Sequence, residues 1–211
     1  MSKTARARAW YKPPLFLAAL LPFLTLLWRG FDGTLGANPV ETISHATGDW
    51  ALRFLCLTLC CTPLRRLSGQ SWPLRLRRML GLYAFFYASL HVLTYFALDL
   101  EFDFAQLGAE VIKRPWICVG FIAYLLLIPL AVTSTQAMMK RLGRRWAALH
   151  RAIYAISILA VLHFLWLVKA DVREPLLYAL ILAVLFGWRL RERWLNRTPA
   201  RPQATTVSRA G

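Results

Sequence analysis

Residues 149–168 read LHRAIYAISILAVLHFLWLV. After Arg151 no charged side chain occurs until Lys169. A bilayer core of ~30 Å is crossed by ~20 helical residues, so this stretch reads as a membrane-spanning helix. Two histidines lie within it: His150 at one boundary and His163 well inside.

Five more apolar runs of similar character lie approximately at residues 13–28, 48–64, 79–98, 116–135 and 175–189. The fold class expected from them is all-α, an integral membrane bundle of six helices. The composition agrees. Of 211 residues, 58% are hydrophobic and 13% aromatic, and the mean hydropathy is +0.46, more apolar surface than a water-soluble domain can cover. The longest connection, residues 29–47, is too short for a folded domain. Residues 1–12 read as a cytoplasmic N-terminal segment, 13–189 as the transmembrane domain, and 190–211 as a polar, disordered cytoplasmic tail. The basic start followed by an apolar run also resembles a signal peptide, but an uncleaved first helix is the preferred reading.

The net charge of +16 would suggest nucleic acid in a soluble protein. Here the charge is interleaved with apolar runs. One set of segments holds 20 of the 26 Lys and Arg residues, including Arg65, Arg66, Arg77, Arg78, Arg144, Arg145, Arg191 and Arg193. The alternate segments hold the other six, together with nine of the ten acidic residues, Glu192 being the exception. The positive-inside rule therefore predicts that the N and C termini are both cytoplasmic, as an even number of helices requires. Membrane lipid, and no nucleic acid, is the expected surroundings.

The four cysteines, Cys56, Cys60, Cys61 and Cys118, form no CxxC or CxxCH and read as small buried residues. No nucleotide-binding or zinc-protease motif is present. Histidine inside a span is costly and tends to mark function. His91 stands 12 residues after Met79, and His163 stands 14 residues after Leu149, placing them ~18 and ~21 Å from the cytoplasmic boundary. Two imidazoles at one depth on different helices suit the axial positions of a haem iron. The ordinary alternative is a hydrogen bond to a neighbouring helix. His150 is a boundary residue for which spacing alone leaves ligation open. It diverges from His163 by ~140° around the helix, so the two serve different ligands unless the helix is locally irregular. His45 reads as a solvated residue of the first outer loop. Tyr83, Tyr87, Tyr154 and Ser157 could touch a cofactor edge or simply pack helices. Arg77, Arg78, Arg151 and Arg114 could pair with carboxylates or with lipid headgroups.

Four strings carry a resemblance: TGDWALRFLCLTLCCTPLRR (47–66), RRMLGLYAFFYASLHVLTYFALDL (77–100), KRPWICVGFIAYLLLIPLAVTST (113–135) and LHRAIYAISILAVLHFLW (149–166). Over nearly the whole chain the sequence resembles the haem-binding membrane subunits of the bacterial periplasmic protein-methionine-sulfoxide reductase system, in the ferric-reductase-like transmembrane superfamily. The resemblance implies that His91 and His163 are axial ligands of a b-type haem, with His150 in the same functional set. It also implies a bound FMN, an inner-membrane location, and a periplasmic molybdopterin-containing methionine sulfoxide reductase as partner, which repairs oxidised envelope proteins. Electrons would come from the quinone pool or a cytoplasmic flavin reductase. Wider superfamily members carry a second histidine 14 residues before the first. Here that position is Arg77, so one haem is implied and a second stays open.

The chain is thus expected to be an electron-transfer subunit without a catalytic residue of its own. Two other readings remain: a stand-alone ferric or quinone-linked reductase, and a haem-free transporter or assembly factor. The acidic stretch from Asp99 to Glu110 reads as a solvated outer loop that could also dock a partner.

Overall fold

The computed structural model describes residues 12–168 and 171–195. All regular structure among them is helical: α1 (Lys12–Phe31), α2 (Pro39–Ser68), α3 (Trp72–Thr94), α4 (Phe104–Lys113), α5 (Pro115–Val132), α6 (Gln136–Leu142), α7 (Arg144–Leu149), α8 (Ala152–Leu167) and α9 (Arg173–Leu195). Helix α3 continues into a π-helical turn, Tyr95–Asp99. Each of the six apolar runs is therefore helical over most of its length. Four stretches are long and apolar enough to cross a membrane: α1, α3 with its π turn, α5, and Arg144–Leu167. Helices α2 and α9 have the length but carry charge, including Asp49 and Arg53 on α2 and Arg189, Arg191 and Arg193 on α9. Large apolar side chains cover the outer surface, among them Leu17, Leu21, Ile158, Leu177, Leu180 and Val184. A surface this apolar belongs in lipid, and the chain is a multi-pass membrane protein.

Several boundaries differ from the sequence reading. Helix α2 begins at Pro39, so His45 is an exposed residue of that helix rather than of a loop. The reason is a side-chain N-cap: Asn38 Oδ1 accepts from the Glu41 N–H at 3.3 Å, and its amide donates to the Glu41 carboxylate at 3.0 Å, with Pro39 preset for the first turn. Thirty residues make α2 ~45 Å long, well beyond a bilayer core. The stretch after Asp103, expected to be loop, forms α4. Helix α9 runs to Leu195, past the expected boundary at 189. Residues 1–11 and 196–211, which hold most of the two expected cytoplasmic segments, lie outside the described residues.

Helices α2 and α3 form a tight antiparallel hairpin, turned at Gly69, whose φ of 67° is the left-handed conformation that ends a helix. Helices α5 and α8 form a second, looser hairpin through the short α6 and α7. Phe54, Leu55, Leu59, Ala84, Tyr87, Leu127, Ile153, Ile156, Leu182 and Leu185 make the common core, so α9 closes one side. Helix α1 buries only Ala19 and is held by hydroxyls from α3. Tyr83 Oη donates to the Phe16 carbonyl at 2.8 Å. Tyr87 Oη accepts from the Phe23 N–H at 3.2 Å and donates to the Ala19 carbonyl at 2.8 Å, inserting itself into the helix ladder one residue after Pro22.

Candidate functional site

The N-terminal parts of α2 and α5 and the C-terminal parts of α3 and α8 enclose a cavity of about 760 Å³, a volume typical of a cofactor site. Ala51, Ala84, Ala88, Ala123 and Ala160 line its depth and leave it wide; Glu41, Asp49, Asp99 and Arg114 are the charged residues of its wall. His91 from α3 and His163 from α8 meet inside it, with ring centroids 6.2 Å apart and planes crossed at 76°. The two side chains read from the sequence as lying at similar depth are thus brought together.

Each ring is tied to the helix opposite. His91 Nδ1 lies 2.9 Å from the Ser44 carbonyl on α2, and His163 Nδ1 lies 2.7 Å from the Trp116 carbonyl on α5. A carbonyl can only accept, so each Nδ1 carries the proton and each Nε2 keeps its lone pair for a ligand. A backbone carbonyl behind an imidazole is the usual support of a metal-binding histidine.

Three observations test the fit to a haem. A metal–imidazole bond of about 2 Å on each side, plus half a ring each, spans about the observed separation of the centroids. Among the described residues no three His, Cys, Asp or Glu side chains group as a bare metal ion would need, whereas a macrocycle requires only two axial groups from the protein. Finally, Tyr95, one turn beyond His91, lines the cavity with a buried hydroxyl that has no partner among the described residues, and such a group calls for an acceptor. The residues fit.

His150 lies elsewhere. It occupies the break between α7 and α8, the irregularity that its angle to His163 had left open. Its Nε2 is 3.1 Å from Thr133 Oγ1, whose own proton goes to the Pro129 carbonyl at 2.6 Å, so the imidazole is the donor. Its ring stacks on Trp146 at 4.0 Å, and Trp146 Nε1 donates to the Thr133 carbonyl. His150 is not part of the cavity wall.

Tyr83 and Tyr87 face α1 and the Phe54 ring rather than the cavity. Ser157 is fully buried and bonded to the Ile153 carbonyl. Tyr154 lies under the Arg189 guanidinium at 5.4 Å. Arg114 does reach the cavity, and its Nε pairs with Glu110 at 3.1 Å. Sequence reasoning missed the Ser44 and Trp116 carbonyls and the glycines one turn after each, Gly48 and Gly120, which also line the cavity. A signal for them existed: from Gly48 to His91 and from Gly120 to His163 the interval is the same, 43 residues.

Residues 47–161 match the family described as ferric reductase like transmembrane component, a range running from α2 into α8. Three curated relatives are named protein-methionine-sulfoxide reductase heme-binding subunit MsrQ. The protein from Xanthomonas euvesicatoria pv. vesicatoria is 54% identical over 208 residues, covering 95% of each chain. That from Xanthomonas campestris pv. campestris is 55% identical, covering 92% of each. The one from Bordetella pertussis is 50% identical over 200 residues, covering 94% of this chain and 97% of its own. No solved structure matches.

Proposed function

Because the chain belongs to the family of heme-binding subunits of protein-methionine-sulfoxide reductase systems, within the ferric-reductase-like transmembrane proteins, we propose that it is the membrane electron carrier of such a system. In this reading six helices span the bacterial inner membrane with both termini cytoplasmic. The chain takes electrons from the quinone pool or a cytoplasmic flavin reductase and delivers them to a periplasmic molybdopterin-containing methionine sulfoxide reductase. An FMN bound on the chain would serve the donor side.

One observation carries the proposal: His91 and His163 face one cavity with centroids 6.2 Å apart, each held by Nδ1 so that Nε2 is free. These two residues would be the axial ligands of a b-type haem. When bound, the haem supplies a one-electron couple near the outer face. The Ser44 and Trp116 carbonyls keep both imidazoles in the coordinating tautomer and strengthen them as donors. The alanine-rich wall excludes water, one of the levers by which a protein sets a haem potential. His150 lies on the inner side, where a second haem would require another partner, Arg77 standing where superfamily members have histidine.

The test is the reduced-minus-oxidised absorbance spectrum of the purified protein, with haem quantified per chain, for wild type and for His91→Ala, His163→Ala and His150→Ala. A low-spin b-type spectrum lost in the first two variants is the expected result. Full-length protein that holds no haem when reconstituted would overturn the reading.

A further inference from the structure

The two histidines are supported in the same way. His91 follows its acceptor, Ser44, by 47 residues, and His163 follows Trp116 by 47. In each case the glycine four residues after the acceptor lies on the same helix face, directly against the ring. A methyl on Gly120 would stand 2.8 Å from His163 Nδ1, 2.9 Å from Cε1 and 3.1 Å from Cγ, distances at which something must move. A methyl on Gly48 would stand 3.2 Å from His91 Nδ1 and 3.3 Å from Cε1, which needs a shift of only a few tenths of an ångström. The other helical glycines are different. A methyl on Gly81 would make an ordinary 3.7 Å contact with Thr58, and on Gly187 it would meet nothing within 4 Å.

Small residues in membrane helices commonly serve close backbone packing. Here the nearest atoms are those of the imidazoles, so the missing side chains make room for the rings. Neither ring can swing away from an added methyl without giving up its carbonyl, at 2.9 Å for His91 and 2.7 Å for His163. We infer that Gly48 and Gly120 are positioning residues for the two axial imidazoles, acting with the carbonyls of Ser44 and Trp116 to hold the ring planes crossed. The inference rests on the haem-binding reading above.

Crossed axial planes leave two iron d orbitals nearly equal in energy, which gives a highly anisotropic low-spin resonance signal. Parallel planes give a rhombic one. The orientation imposed by the glycines is therefore readable in the oxidised protein without any measurement of electron delivery.

The experiment uses the full-length, haem-loaded protein as wild type, Gly48→Ala, Gly120→Ala and the packing control Gly81→Ala. Haem per chain, low-temperature electron paramagnetic resonance and a potentiometric titration are recorded for each. Wild type and Gly81→Ala should give the same highly anisotropic signal and the same potential. Gly48→Ala should retain haem with a more rhombic signal and a shifted potential, and Gly120→Ala should bind haem about 10-fold or more weakly. If Gly120→Ala does not accumulate, Gly48→Ala decides the matter, because its overlap is small enough for the helices to absorb. An unchanged signal and potential in Gly48→Ala would overturn the inference, as would a Gly81→Ala shift equal to that of the other variants. Wild type without haem would instead remove the functional reading beneath it.

Discussion

The guanidinium of Arg189 donates through Nη2 to the carbonyl of Leu59 at 2.6 Å. That carbonyl is the one Pro63, four residues on within α2, leaves without its intrahelical donor. The contact ties α9 to α2, and the same guanidinium also lies over the Tyr154 ring of α8. One charged side chain thus closes a gap that proline opens and joins three helices. Away from water such a carbonyl has no other donor. Arg189→Leu should destabilise the protein by about 1.5–3 kcal/mol, measured as a lower thermal unfolding midpoint in detergent. An unchanged midpoint would show that the α2–α9 contact rests on apolar packing alone.

The joining of α2 to its cap makes a second prediction. Asn38 and Glu41 exchange hydrogen bonds at the start of α2, within two turns of the Ser44 carbonyl that holds His91. Asn38→Ala should cost about 1 kcal/mol, lowering the unfolding midpoint by about 2–4 °C for a protein of this size. The frayed first turns should also let the His91 acceptor move, so the haem potential should shift in the same variant. A lowered midpoint with an unmoved potential would show that Ser44 is held independently of the cap.

The helices and the meeting of two histidines were legible because both depend on side-chain chemistry that a sequence displays. Apolar run length fixes a span, and similar offsets from Met79 and Leu149, 12 and 14 residues, give a similar depth. Three features were less legible. Helix α2 starts before its apolar run because its first turns, Pro39 to Thr47, are stabilised by a cap rather than by lipid. The partners of the two Nδ1 atoms are backbone carbonyls, which every residue possesses, so no residue type announces them. The supporting glycines show themselves only through a spacing repeated between two hairpins, a relationship that appears once the hairpins are paired.

For His150 the expected outcome differs from that for the cavity pair. Its Nε2–H is engaged by Thr133 and its ring by Trp146, outside the cavity wall. If the cavity pair ligates a haem, His150→Ala should leave its absorbance band intact while His91→Ala and His163→Ala abolish it. Haem stoichiometry measured in the same samples tests the inner side. A wild-type content above one per chain that falls by one in His150→Ala would assign it a second haem, and equal contents would assign it to packing of the α7–α8 break.

The cysteines provide a test of ligand identity. Cys56 and Cys61 are buried, Cys60 and Cys118 partly so, none is disulfide-bonded, and Cys118 alone lines the cavity. Imidazole ligation predicts that replacing all four by alanine leaves haem content and difference spectrum unchanged. Loss of the band in that variant, restored by returning Cys118, would point to a thiolate at the iron.

The last prediction concerns delivery of electrons. Glu41, Asp49 and Asp99 line the cavity, and exposed Glu101 lies in the turn between the π-helical segment and α4. Their field falls where a periplasmic acceptor would approach. Arg53 and Arg114 offset part of this charge by pairing with Asp49 and Glu110, but the balance stays acidic; such a rim raises the encounter rate of a complementary partner, and salt screens that effect over a Debye length of ~10 Å at 0.1 M. Electron transfer from the reduced protein to its acceptor, followed by stopped-flow absorbance, should therefore slow as ionic strength rises. Glu101→Lys should slow it further at low salt and flatten the salt dependence, with the haem spectrum unaltered because this exposed side chain touches neither the imidazoles nor the α2 cap. Equal rates and equal salt slopes in wild type and the charge-reversed protein would mean that this acidic rim only keeps its own surface in water.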